Sequence, residues 1–233
     1  MRFAEDVEVV GVDGDDTLWR CQDAFDDAEV EVARLLADWA PPEQVAAALA
    51  RTERTNLSTY GFGVKSWTLN VLQTAQELAG DDAPVVPFLE LGRALLTGPV
   101  EVLPGAEEAV VALGRTHRVV LVTKGDLVDQ RRKLAASGLA ACFSHVEIVP
   151  DKEPGTYDEL LRFLDVPAHR FLMVGNSEVS DVHPVLELGG WAVHVPYRTT
   201  WVLERAAAPV VHDRRLTVAS LSEVPALLQS DRL

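Results

Sequence analysis

Cysteine is scarce in this chain of 233 residues: Cys21 and Cys142 stand far apart, with no CxxC pair. That excludes a disulfide framework or a cysteine-built metal cage, and two isolated thiols fit a reducing compartment. No apolar run approaches the roughly 18 residues that a membrane helix needs. The first residues, MRFAEDVEVVGVD, carry acids where a signal peptide has a basic start and an apolar middle. This predicts a cytoplasmic protein. Lysine is rare as well. Only Lys65, Lys124, Lys133 and Lys152 occur, and arginine supplies the other 17 of the 21 basic residues, so each lysine position is somewhat more informative. Against 36 acids the net charge is −15. A surface of that sign repels nucleic acid and anionic lipid, and neither is an expected partner.

Apolar residues make up 48% of the chain, enough for a sizeable core. Four short apolar runs, 7–13, 117–123, 170–175 and 191–196, are bounded by turn or polar residues, and 143–149 is a weaker fifth. Nearly continuous Val, Ile and Leu suits strands covered on both faces. Helical patterns lie between them at 105–115, 126–137, 154–164 and 178–188. Such alternation predicts an α/β fold with a Rossmann-like parallel sheet. Residues 20–96 differ: they are rich in Ala and Leu at helical spacing over 24–39, 43–55 and 66–79, and are broken at Pro41-Pro42 and at GDDAPVVP (80–87). They are expected to form an all-helical block inserted into a core made of 1–19 and 97–233.

In open parallel sheets, ligands bind beyond the carboxyl ends of the strands. The first strand ends in Asp13-Gly14-Asp15-Asp16-Thr17, the second in Thr123-Lys124-Gly125-Asp126. The weak strand is followed by Asp151-Lys152, and the fourth by Gly175-Asn176-Ser177 with Asp181 soon after. Like charges crowded at a half-buried strand end persist only with a compensating cation or proton. Singly these signals are weak: Thr123 reads as a helix cap, Lys152 as a surface lysine, Asp181 as a helix-surface acid. Together, in order and at strand ends, they are strong.

This set resembles the haloacid-dehalogenase-like hydrolase superfamily. Its motifs are an apolar strand followed by DxDx(T/V), a Thr or Ser at the next strand end, a lysine, and a Gly-rich strand end with acids. All four occur here between residues 9 and 181. The helical block matches the cap that the family inserts after the first motif. The resemblance implies a Mg²⁺-dependent phosphatase acting on a small phosphate ester. Asp13 would be the nucleophile that forms an aspartyl-phosphate. Asp15 would be the acid–base residue, with a pKa raised by neighbouring acids or by desolvation. Thr123 and Lys152 would bind the phosphoryl group, with Lys124 beside them. The metal would be held by Asp13, the backbone carbonyl of Asp15, and Asp181. Asn176 stands where the family often has Asp, and would act through a metal-bound water or on Lys152.

The segment NLSTYGFGVKSW (56–67) fits two readings: a loop placing Tyr60 or Lys65 against the substrate's leaving group, or a plain helix connector with aromatics packed inside. Other chemistries on the same core are 2-haloacid dehalogenation, phosphonate cleavage and phosphosugar mutation. Dehalogenases of the family lack an acid two residues after the nucleophile, and Asp15 is present here. A non-catalytic phosphate- or metal-binding module would have lost Asp13 or Asp15, and the chain has both.

Overall fold

The computed structural model describes residue 4, residues 6–206, residue 208 and residues 210–229. Their contacts divide the chain into two units, Met1–Arg20 with Val100–Leu233, and Cys21–Pro99.

The first unit is built on a six-stranded, all-parallel sheet. Its strands are β1 (Val9–Val12), β2 (Arg118–Lys124), β3 (His145–Val149), β4 (Phe171–Gly175), β5 (Trp191–His194) and β6 (Arg215–Thr217), in the order β3-β2-β1-β4-β5-β6. This is the Rossmann order, in which the chain reverses direction of growth between β1 and β4. The strands are apolar along their length because both faces are covered, and alternate side chains serve opposite cores. Val10, Val12, Leu121, Leu172 and Val174 join one cluster. Val9, Val120, Val122, Phe171 and Met173 join the other, against Tyr157, Leu160, Leu161 and Leu164 of a helix at Pro154–Leu164. The period-2 alternation is what the pleat dictates.

The second unit holds the helices α1 (Gln22–Leu35), α2 (Pro42–Tyr60), α3 (Val64–Ala79) and α4 (Val85–Thr97). They enclose a core of Val32, Leu36, Leu49, Trp67, Val71 and Phe88. The connector within 56–67 is shorter than the sequence suggests. α2 runs on to Tyr60 and α3 begins at Val64, leaving Gly61–Gly63 as the turn, with both glycines at positive φ. The chain leaves and re-enters the sheet unit at one place: Arg20 N–H donates to Glu101 O (2.9 Å), and Leu103 N–H to Leu18 O (2.8 Å).

The remaining helices are α5 (Ala106–Leu113), α6 (Leu127–Ser137), α7 (Pro154–Leu164), α8 (His183–Glu187) and α9 (Val224–Gln229). The helix expected over 178–188 is divided. Its first turn, Glu178–Val182, is π-helical, and only α8 is α-helical. Among the described residues no helix is long and apolar enough to cross a membrane.

Candidate active site

Asp13 extends the ladder one residue beyond β1, with its N–H donating to Val174 O at 2.9 Å. Its backbone is thereby fixed to the end of β4. The chain then folds tightly on itself. Leu18 N–H donates to Gly14 O (2.8 Å), and Asp16, at φ +62°, donates its N–H to Trp19 O (2.7 Å). A Cβ on Gly14 would stand 2.8 Å from the Trp19 ring and 3.1 Å from Thr123 Oγ1, so glycine is required for the β2 end to come this close.

Around Asp13 lies a buried ionic cluster. Lys152 Nζ is 2.5 Å from Asp13 Oδ1 and 2.7 Å from Asp181 Oδ1. Thr17 Oγ1 donates to Asp13 Oδ2 (3.0 Å), and Ser177 N–H donates to Asp181 Oδ2 (3.0 Å). Gly175 makes room: a Cβ there would lie 2.2 Å from Asp181 Oδ2. The π-helical turn supports the same carboxylate, with Ser177 Oγ accepting from Ser180 N–H and Asp181 N–H donating to Ser177 O. Burial is the main force raising Asp13, to about 7, and Asp181 adds to it against the opposing pull of Lys152. Burial works against the Lys152 charge, yet the two carboxylates hold its pKa well above the usual lysine value.

Asp15, two residues on, meets different surroundings. Lys133 Nζ lies 2.9 and 3.0 Å from its two oxygens. Trp19 Nε1–H donates to Oδ1 (2.6 Å), and the Gln130 amide donates to Oδ2 (3.1 Å). Burial would raise this acid, but Lys133 and the two N–H donors outweigh burial and lower its pKa. The sequence reading of a raised Asp15 is therefore corrected. It counted the neighbouring acids and not the lysine that α6 delivers.

Thr123, buried at the end of β2, accepts from the Gln130 amide at 2.6 Å. It is not the helix cap: Asp126 caps α6, accepting from Asp129 N–H (3.0 Å). Lys124 Nζ donates to Ser180 Oγ (2.8 Å) and pairs with Glu204, so its charge is already matched within the protein. The backbone carbonyl of Asn176 lies 3.0 Å from His194 Nε2, while Lys152 turns to Asp13 and Asp181. Tyr60 and Lys65 lie in the helical unit, exposed at the end of α2 and in the first turn of α3. Gln130, Lys133 and Glu204 were not legible as site residues. For Lys133 the one sequence signal was the scarcity of lysine.

The donor set fits a hard divalent cation. Among the described residues no three Asp, Glu, His or Cys side chains form a closed cage. Two carboxylates, those of Asp13 and Asp181, meet there on one lysine. Few protein oxygens, with room for water and a phosphoryl oxygen, is the habit of Mg²⁺.

A carboxylate paired with a buried lysine, and a second acid held by another lysine, stand at the switch point of a parallel sheet, where enzymes of the α/β class bind their ligands. The sequence profile of the haloacid dehalogenase-like hydrolases matches residues 7–184, and the chain belongs to that family. A haloacid dehalogenase-like family hydrolase from Xanthomonas campestris is 39% identical, with a TM-score of 0.85 over 97% of this chain and 91% of that one. The HAD-hydrolase YfnB from Bacillus subtilis, solved bound to magnesium, is 18% identical with a TM-score of 0.66, over 98% and 100% of the two chains. The L-2-haloacid dehalogenase from Xanthobacter autotrophicus is 15% identical with a TM-score of 0.66, over 97% and 99%. The last two show a shared fold. The search of curated proteins finds no match.

Proposed function

We propose that this hydrolase is a Mg²⁺-dependent phosphatase of small phosphate monoesters, working through an aspartyl-phosphate on Asp13. The observation that carries the reading is Asp15: an acid two residues from the nucleophile, half-buried and held by Lys133, Trp19 and Gln130. Displacement of halide from a haloacid gives no role to an acid that moves protons at that place; phosphate ester hydrolysis does. In the first step an Asp13 oxygen bonds to phosphorus, the P–O bond to the leaving group breaks, and Asp15 delivers a proton to the leaving oxygen. In the second, water attacks phosphorus, Asp15 takes a proton from it, and the Asp13–phosphorus bond breaks to release phosphate. Lys133 and the two N–H donors favour the ionised form of Asp15, the form that takes the proton from water in the second step. Lys152 keeps Asp13 in place and offsets phosphoryl charge, and Thr123 offers its hydroxyl to a phosphoryl oxygen. Asp13 and Asp181 would hold the Mg²⁺, which would supply further neutralisation of phosphoryl charge. The strongly acidic surface supports a small substrate over nucleic acid.

The test is phosphate release from a panel of small esters, with 2-chloropropionate as a parallel substrate. Turnover that disappears with EDTA and with Asp13→Asn supports the reading, and the best ester names the substrate class. Halide release without phosphate release would overturn it.

A further inference from the structure

α6 presents a polar face to the interior. Asp129, Gln130 and Lys133 are buried alongside Leu134, where a helix on a sheet ordinarily buries an apolar stripe. A buried glutamine costs stability unless its amide is matched. The Gln130 amide nitrogen is 2.6 Å from Thr123 Oγ1, 3.0 Å from Lys124 O and 3.1 Å from Asp15 Oδ2. Two of these neighbours, a main-chain carbonyl and a carboxylate, offer acceptors, and the carbonyl can only accept. The group facing them must therefore be the NH₂ and not the carbonyl of the side chain. An amide nitrogen donates and does not accept, so Thr123 Oγ1, the nearest of the three, accepts one of its two hydrogens, and Lys124 O and Asp15 Oδ2 share the other. A hydroxyl that accepts from one side keeps its own hydrogen for a partner elsewhere.

We infer that Gln130 is a positioning residue of the site: it turns the Thr123 hydroxyl so that its hydrogen is offered to a phosphoryl oxygen, and it ties that orientation to Asp15. The inference rests on the phosphatase reading and goes beyond it, since Gln130 touches no reacting atom. One amide joins the group that binds the phosphoryl to the group that moves the proton. Neither β1 nor β2 supplies this link; it comes from the first turns of α6, set in place by the Asp126 cap.

The experiment is a double-mutant cycle between Gln130→Met and Thr123→Val. It is read as the competitive inhibition constant of inorganic phosphate during turnover of p-nitrophenyl phosphate, with thermal melts confirming that each variant is folded. Removing the amide donor is expected to weaken phosphate about tenfold, the worth of one oriented hydrogen bond to a charged group. In the Thr123→Val background the same change is expected to add less than about twofold, because the hydroxyl it orients is gone. Gln130→Glu, whose carboxylate only accepts and so captures the Thr123 hydrogen, is expected to weaken phosphate more than Gln130→Met. Independent, multiplying losses in the cycle, or an unchanged inhibition constant in Gln130→Met, would overturn the inference while leaving the phosphatase reading intact. A wild type that hydrolyses no ester would remove both.

Discussion

Asp13 and Asp15 are the same residue two positions apart on one turn, each beside a buried lysine, and their pKa values move in opposite directions. The difference lies in how the positive charge is shared. Lys152 is divided between Asp13 and Asp181 within one buried cluster, so the cluster is left short of one charge. Lys133 reaches both oxygens of Asp15, with Asp129 farther off at 3.6 Å, and two N–H donors complete the shell. Burial alone therefore does not decide a carboxylate's pKa; the number of donors facing it does. In the proposed reaction it is this deficient cluster that would receive the cation and the anionic substrate.

The largest effect is expected where the first cluster is broken. Lys152→Met leaves two adjacent buried carboxylates without a counter-charge, and urea unfolding at pH 7 is expected to show a loss of about 3–5 kcal/mol. The contrast is sharpened by Asp15→Asn, which strips Lys133 of its nearest acid. Stability is expected to fall by about 1–3 kcal/mol. Because the folded pKa of Asp15 lies below its ordinary value, the contribution it makes is present above pH 4 and fades as acid is added.

Asp13→Asn is expected to act in the opposite sense. The folded carboxyl sits at about 7 against an ordinary 3.8, so the native state keeps a proton that the unfolded chain has lost. Stability then declines as pH rises from about 4 to 7. The asparagine escapes that decline, and in metal-free buffer at pH 8 it is expected to be more stable than wild type by roughly 1–2 kcal/mol. The gain should vanish near pH 4. A gain that persisted at pH 4 would show that charge is not its cause.

Glu29 in α1 gives the smallest test. Burial and the neighbouring Asp26 push it up to about 7. By the same sign argument Glu29→Gln is expected to melt higher than wild type at pH 8 and alike at pH 4.5. The difference is less than about 1 kcal/mol, since the group is partly screened by water. No effect on phosphate release is expected from it.

What could be read from the sequence follows from which forces are local. β1, β2 and β4 announce themselves as apolar runs, and Asp13, Thr123, Lys152 and Asp181 stand at or just beyond strand ends, where the topology gathers them. α4 was hidden by GDDAPVVP, read as a break. Pro84 in fact sits at the N-cap and Pro87 in the first turn, where a missing N–H costs little. β6 is three residues, Arg-Leu-Thr, paired only through β5, and carries no pattern of its own. The partners of Asp15 were hidden for another reason. Gln130 and Lys133 lie over a hundred positions along the chain from Asp15, and helical spacing on α6 says only that they share a face, not what they meet.

The point where the chain leaves and re-enters the sheet unit bears on how fast the protein folds. β1 must find β2 across the whole inserted segment, and an open loop of that length slows closure through lost entropy. The hydrogen bonds between Arg20 and Glu101 and between Leu18 and Leu103 bring the two ends of the insertion together. Once Cys21–Pro99 has collapsed on its own core, the distance the chain must search shrinks to that of a short turn. Refolding of the sheet is then expected to depend little on the length of the insertion.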